Sequence, residues 1–251
     1  MFPIRDHNPS LKKPYVTYGL IGLNIAIFLT YWSQLQNPQF INQFFAEWGM
    51  VPIRITECVN FNQYYTVFTS MFLHGGIMHL LFNMLFLWIF GDNMEDKMGH
   101  GGFLLFYFLS GFAAGYVQLL SDPLSYVPVV GASGAIAGVM GGYLLLFPKA
   151  KIDVLIIFVI FFRIFPIPAW VMLGIWFALQ LFGGFTPQDG AGGIAYWEHS
   201  GGFFFGLLFT IPLWRRLGGK AFWNKTDGRP PNPEAKYKLI KSNIPTVGNR
   251  R

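Results

Sequence analysis

Four side chains in this sequence have the types that acyl-transfer chemistry uses, and they fall in three separate apolar stretches: His79 with Asn83, Ser133, and His199. A serine hydroxyl attacks a carbonyl only when a base removes its proton, and neutral histidine near pH 7 is the usual base. Ser133 lies in V130-G-A-S-G-A-I-A-G-V-M-G-G-Y-L-L-L-F-P148, whose only other polar side chain is Tyr143. His199 opens H199-S-G-G-F-F-F-G206. His79 and Asn83 are four residues apart, so on a helix they share a face. Two donors on one face can hold the oxygen of a tetrahedral intermediate. Taken singly, each set also reads as a polar contact between packed helices. An ionisable group inside a membrane is nevertheless a functional hypothesis by default.

Other chemistries fit less well. A zinc site from His74, His79 and Glu198 is conceivable, but no H-E-x-x-H occurs. The single cysteine, Cys58, excludes an intramolecular disulfide and a multi-cysteine metal site. The span interiors lack a pair of aspartates, and the hydrolase elbow G-x-S-x-G is broken by Ala135. No metal and no cofactor is expected.

For Ser133 and His199 to meet, two helices must come very close, and the glycines supply the means. Gly134 and Gly138 recur one turn apart beside Ser133, and Gly202 and Gly206 do so beside His199. Such small-residue faces allow tight approach inside a membrane. The composition agrees with that setting: 53% of the 251 residues are hydrophobic and 12% charged, where soluble domains carry about 25% charged residues. The excess of positive charge sits in the termini and one loop, so it is not read as nucleic-acid binding.

The chain is therefore expected to be an all-α, six-span membrane bundle with a long interfacial loop between spans one and two. Met1–Pro14 reads as a basic, proline-broken arm, residues 15–214 as the membrane domain, and residues 215–251 as a basic, poorly ordered tail. The spans are Tyr15–Trp32, Ile77–Phe90 with its flanks, Phe103–Leu120, the Ser133 stretch, Ala169–Phe182 and Ala195–Leu213. Gln34–Gly75, rich in Phe, Tyr and Trp, reads as short amphipathic helices at the bilayer surface. Gly91–Gly102 reads as a charged turn and Gly183–Gly193 as a mobile loop. Lys149–Pro168 has an apolar centre too short to span and reads as an interfacial excursion. Of the 18 Lys and Arg, all but Arg54 fall on one set of alternate connections. The positive-inside bias therefore places both termini in the cytoplasm. His79, Ser133 and His199 then lie at similar depth, near the outer ends of spans two, four and six.

With this arrangement in hand, the sequence resembles the rhomboid intramembrane serine proteases. The likeness covers most of the chain from Phe68 to Leu213. It is carried by H74-G-G-I-M-H79-L-L-F-N83, G131-A-S133-G134 and H199-S-G-G202-F-F-F-G206. The resemblance implies that Ser133 is the nucleophile and His199 its base. It implies an oxyanion hole of His79, Asn83 and the Ser133 backbone N–H, with Gly131, Gly134, Gly138, Gly202 and Gly206 as close-packing positions. It also implies cleavage of transmembrane protein substrates in a lipid bilayer, here a prokaryotic plasma membrane, with no metal and no nucleic acid. The chain departs from the family at Glu198, where a small residue is usual. It departs again at Ala137, where some members stack an aromatic on the histidine, and that leaves open what orients His199. The Trp-Arg pair often seen in the first long loop is also not evident. A catalytically silent scaffold that binds membrane helices, and less readily a transporter, are the alternative classes.

Overall fold

The computed structural model describes residues 2–57, 63–158, 161–186 and 193–235. Cys58, most of the Gly183–Gly193 loop and residues 236–251 lie outside them. The chain runs β1 (Phe2–Asp6), α1 (Tyr15–Tyr31), α2 (Pro38–Trp48), α3 (Pro52–Thr56), α4 (Thr66–Thr69), α5 (Ile77–Met98), α6 (His100–Ser121), α7 (Ser133–Leu146), β2 (Lys151–Phe158), β3 (Phe161–Pro168), α8 (Ala169–Gly184), α9 (Tyr196–Arg216) and α10 (Lys220–Thr226). It is mostly helical. Among the described residues three helical stretches, Tyr15–Gln34, Ile77–Met98 and His100–Ser121, are long and apolar enough to cross a membrane. The apolar helices α7 and α8 are shorter.

Helix α7 is the axis of the bundle. Every residue from Gly134 to Tyr143 is buried, with α5, α6 and α9 packed around it. Its helix starts directly at Ser133 and stops before Phe147-Pro148, where proline cannot continue the hydrogen-bond ladder.

The charged stretch after the second apolar run is helix rather than turn. α5 continues through Asp92, Glu95, Asp96 and Lys97 and ends only at Gly99, whose φ of 73° allows the reversal into α6. Glu95 explains the continuation. α1 begins after Pro14, which offers no side-chain cap, so its first N–H groups need an acceptor from elsewhere. The buried Glu95 carboxylate accepts from the Val16 and Thr17 N–H groups at 2.9 and 2.8 Å, and from the Thr17 hydroxyl at 2.7 Å. A negative group at a helix N-terminus is favourable for the same reason.

The expectation of a purely helical chain holds for the bundle but not for its end opposite Ser133. There β1, β2 and β3 form an antiparallel sheet in that order, with Asp6 opposite Ile152 and Lys151 opposite Pro168. The N-terminal arm is thus partly a strand, and Lys149–Pro168 is a hairpin. Its β-branched and aromatic residues, bounded by prolines, suit strands. Ile152 and Val154 are fully buried. The buried Asp6 carboxylate accepts from the Tyr143 hydroxyl at 2.6 Å, from Asn93 Nδ2 at 2.8 Å and from the Asn8 N–H at 2.9 Å. Burial pushes this carboxyl above its ordinary range, against those bonds. The tail also begins in order. α10 lays Phe222 against Phe147, Trp223 Nε1 donates to the Leu145 carbonyl at 2.9 Å, and the Asn232 side chain donates to Asn93 at 2.9 Å.

Between α1 and α5 the long connection is tied to the segment leading into α7. Met50 and Val129 exchange two backbone hydrogen bonds, and the Gly131 N–H donates to the Ser70 carbonyl at 2.9 Å. The backbone just before Ser133 is therefore held by the first loop.

Candidate active site

Ser133 is the first residue of α7 and His199 lies in the first turn of α9. Their side chains meet: His199 Nε2 is 2.8 Å from Ser133 Oγ. The glycines make this possible. A Cβ built on Gly202 would stand 2.0 Å from the Gly134 carbonyl oxygen, and one on Gly206 2.1 Å from that of Gly138. Gly141 returns the contact, since its Cβ would stand 2.1 Å from the Phe203 oxygen. On α7, Gly134 and Gly138 also clear space for Ala114 and Ser110 of α6. Two helices thus touch backbone to backbone, and the two chemistry-bearing side chains project from the same end of the contact.

Gly131 serves differently from these five. Its φ is +137°, which L side chains rarely adopt, and a Cβ there would lie 2.9 Å from His79 Nε2 and 3.3 Å from Ser133 Oγ. The bare backbone at Gly131 leaves room for the His79 ring and the Ser133 hydroxyl to approach it. Asn83 is buried one turn further along α5, and its Nδ2 has no partner among the described residues. Among the described residues neither Asn83 nor His79 is hydrogen-bonded to Ser133 or His199; the one side-chain bond within the four joins Ser133 to His199.

His74 is fully buried beside this group, its ring 5.1 Å from that of His79 at 68°. Burial, with His79 adding to it, holds the His74 imidazole down to about 3, so it stands neutral. Glu198 turns away from His199: its carboxylate lies against Gly134, and its Oε2 has no partner among the described residues. Among those residues no group of three or more His, Cys, Asp or Glu is placed to hold a metal ion.

Two contacts on His199 were not found from sequence. Gln180 Oε1 is 2.8 Å from His199 Nδ1, and the Trp176 ring lies 5.9 Å from the imidazole, tilted by 32°. Both residues come from α8. The one available signal was the lone amide in A-W-V-M-L-G-I-W-F-A-L-Q-L-F-G-G. A polar side chain inside an apolar span is costly and calls for a partner.

A serine hydrogen-bonded to a histidine across two glycine-packed helices sits in a helical bundle whose described helices include apolar ones of membrane-spanning length. The chain belongs to the rhomboid family, whose Rhomboid domain model matches residues 61–216. It is 29% identical over 201 residues to the mitochondrial rhomboid protein 1 of Saccharomyces cerevisiae, covering 77% of this chain and 52% of that one. It is 31% identical over 132 residues to the rhomboid protease GluP of Bacillus subtilis, covering 53% of this chain and 24% of that one. With the putative rhomboid protease YdcA of the same bacterium it shares 40% over 82 residues, 33% of this chain and 41% of that one. The matched region spans about half the length of these relatives, or less.

Proposed function

We propose that this protein is an intramembrane serine endopeptidase that cleaves transmembrane-anchored proteins near the outer membrane surface with a Ser133–His199 dyad. The observation that carries the reading is the 2.8 Å contact between Ser133 Oγ and His199 Nε2, held by a backbone-to-backbone helix pair. Ser133 Oγ attacks the scissile carbonyl as His199 Nε2 takes its proton. The oxyanion is held by His79, by Asn83 with its unpaired amide donor, and by the Ser133 N–H. As the first residue of a helix, Ser133 has a backbone N–H with no intrahelical acceptor. His199 then returns the proton to the leaving amine, and water hydrolyses the acyl-serine by the reverse use of the same groups.

In this reading α1, α5, α6, α7, α8 and α9 are six spans, both termini are cytoplasmic, and the membrane is a prokaryotic plasma membrane. The aromatic α2–α4 connection lies at the outer surface and the sheet at the inner one. The substrate must present an extended peptide, whereas a transmembrane helix satisfies its backbone internally. Substrates are therefore single-span proteins whose outer helix end is weakened by Gly or Pro, with small residues at the cut.

A fluorophosphonate tests the central claim without a known substrate. The purified protein in detergent should be labelled covalently at Ser133, and Ser133→Ala and His199→Ala should not be. A folded wild-type protein that never labels would be a silent scaffold.

A further inference from the structure

We propose that Gln180 is a positioning residue for the His199 base, accepting the Nδ1 proton at its side-chain oxygen and so keeping Nε2 free to receive the proton of Ser133. The proposal rests on the Ser133–His199 reading and extends it to α8.

A neutral imidazole carries its proton on one nitrogen only. For Nε2 to act as base toward Ser133, that proton must be on Nδ1, where it needs an acceptor. The Gln180 amide stands there at 2.8 Å. The orientation of the amide and the tautomer of the ring fix each other. If the amide nitrogen faced Nδ1, the ring would have to carry its proton on Nε2, and Nε2 could then only donate to Ser133. The arrangement competent for attack is the one with the Gln180 oxygen toward the ring.

α8 supplies a second restraint from the same face. Trp176 precedes Gln180 by four residues, so the two lie one above the other on the helix. Trp176 flanks the His199 ring while Gln180 holds its edge. Trp176 supplies a ring contact that Ala137 is too small to give the imidazole. The bond to His199 also accounts for a Gln in an otherwise apolar helix. A carboxylate would serve as acceptor too, but at membrane depth it would be an isolated charge, far more costly to bury than an amide. Being neutral, Gln180 does less for a developing imidazolium than a carboxylate would. Its removal should therefore cost less than the ~10⁴-fold that the wrong tautomer costs a Ser-His-Asp site.

The experiment compares wild type, Gln180→Leu, Gln180→Glu and His199→Ala in detergent by two measurements. The first is the rate of fluorophosphonate labelling. The second is the nitrogen-15 spectrum of the histidine side chains, with His199 assigned by its loss in His199→Ala. Leu matches Gln in size and suits an apolar helix, so the fold should survive. The Leu variant should label about 10- to 100-fold more slowly, the range spanned by one lost hydrogen bond and the tautomer it selects. The Glu variant, which restores an acceptor, should label at least tenfold faster than the Leu variant. The wild-type spectrum should show His199 protonated at Nδ1, and the Leu variant should show a mixture. A Leu variant that labels at the wild-type rate, or leaves the His199 spectrum unchanged, would overturn the proposal. Failure of the wild type to label would instead sink the dyad. The spectrum would still read the Gln180–His199 bond.

Discussion

The distance between α7 and α9 is set by hydrogen atoms on three glycines, Gly141, Gly202 and Gly206, and Gly206→Ala tests what that distance is for. The added Cβ would sit 2.1 Å from the Gly138 carbonyl oxygen and 2.3 Å from its Cα, where ordinary contact begins at 3.4 Å. Neither neighbour is the end of a flexible side chain, so relief must come from the helices moving apart by about 1.3 Å at that level. Gly206 lies two turns from His199, roughly 10 Å along the axis. Half of that displacement transmitted to His199 stretches the 2.8 Å contact with Ser133 Oγ to about 3.5 Å, past the range of a useful hydrogen bond. A misplacement on the order of 1 Å at a reacting pair can cost roughly 10²-fold in rate. Overpacking of this kind costs about 1–3 kcal/mol of stability.

The assay is the rate of fluorophosphonate labelling beside thermal unfolding in the same detergent. Labelling is expected to fall about 10²-fold at a temperature where the variant is still folded. Gly22→Ala and Gly174→Ala are the controls, because nothing stands within 4 Å of the Cβ at either position. Both should label normally and gain slightly in stability, since alanine is about 0.5–1 kcal/mol better than glycine inside a helix. If Gly206→Ala labels within twofold of wild type, or if the controls lose as much, the claim that backbone contact positions the dyad is wrong.

Three further outcomes follow from the same geometry. His79→Ala and Asn83→Ala should each lower kcat about 10²–10³-fold on a transmembrane substrate while leaving the unfolding temperature nearly unchanged; a loss shared equally by both quantities would make them packing residues. Tyr143→Phe removes the 2.6 Å bond to Asp6 and should both destabilise the protein by about 1–3 kcal/mol and slow fluorophosphonate labelling of the still-folded protein, as read from unfolding temperature and labelling together; labelling at the wild-type rate would mean that this bond does not align Ser133. Burial pushes the Asp153 carboxyl up, but hydrogen bonds from His7 and Arg5 outweigh it and hold it below its ordinary value of 3.8. A carboxyl lowered on folding stabilises above its unfolded value and loses that contribution as pH falls through the folded one. The unfolding temperatures of wild type and Asp153→Asn should therefore differ at neutral pH and converge as the pH falls below about 3.8; a difference that grows on acidification would reverse the assignment.

What sequence disclosed here was whatever repeats with a helical period. The glycines at 134 and 138 and at 202 and 206 are spaced by a turn, so their faces and the meeting of Ser133 with His199 are legible in the residue pattern itself. The same reading ran α5 out too early, because Asp92, Glu95 and Asp96 look like a solvated turn. Only the partner, the uncapped start of α1 some eighty residues earlier, explains why Glu95 is buried in a helix. The strand β1 has no signal of its own: F-P-I-R-D contains a proline and spans five residues, and its pairing with β2 is a contact between the start and the middle of the chain. Gln180 sits between these cases. One amide in an apolar helix announces that a partner exists but not which one, since any of the neighbouring helices could supply it.

The two ends of α7 are restrained by opposite means, and each supplies what the other lacks. At the Ser133 end, glycine faces bring backbones together and fix the separation from α9. Such faces are smooth, and they hold few side-chain knobs that would resist sliding along the axis or rotation about it. At the other end, roughly 15 Å and ten residues away, Tyr143 is tied to Asp6. Asp6 is tied to Asn93 of α5, and Asn93 to the tail through Asn232. Those bonds are directional and short, so they fix the rotation and axial position that the glycine contact leaves free. Ser133 Oγ must meet a ring nitrogen within a few tenths of an ångström, and separation alone does not secure that. The sheet and the returning tail act on the same helix that carries Ser133, which gives these outlying segments a part in aligning the site without touching it.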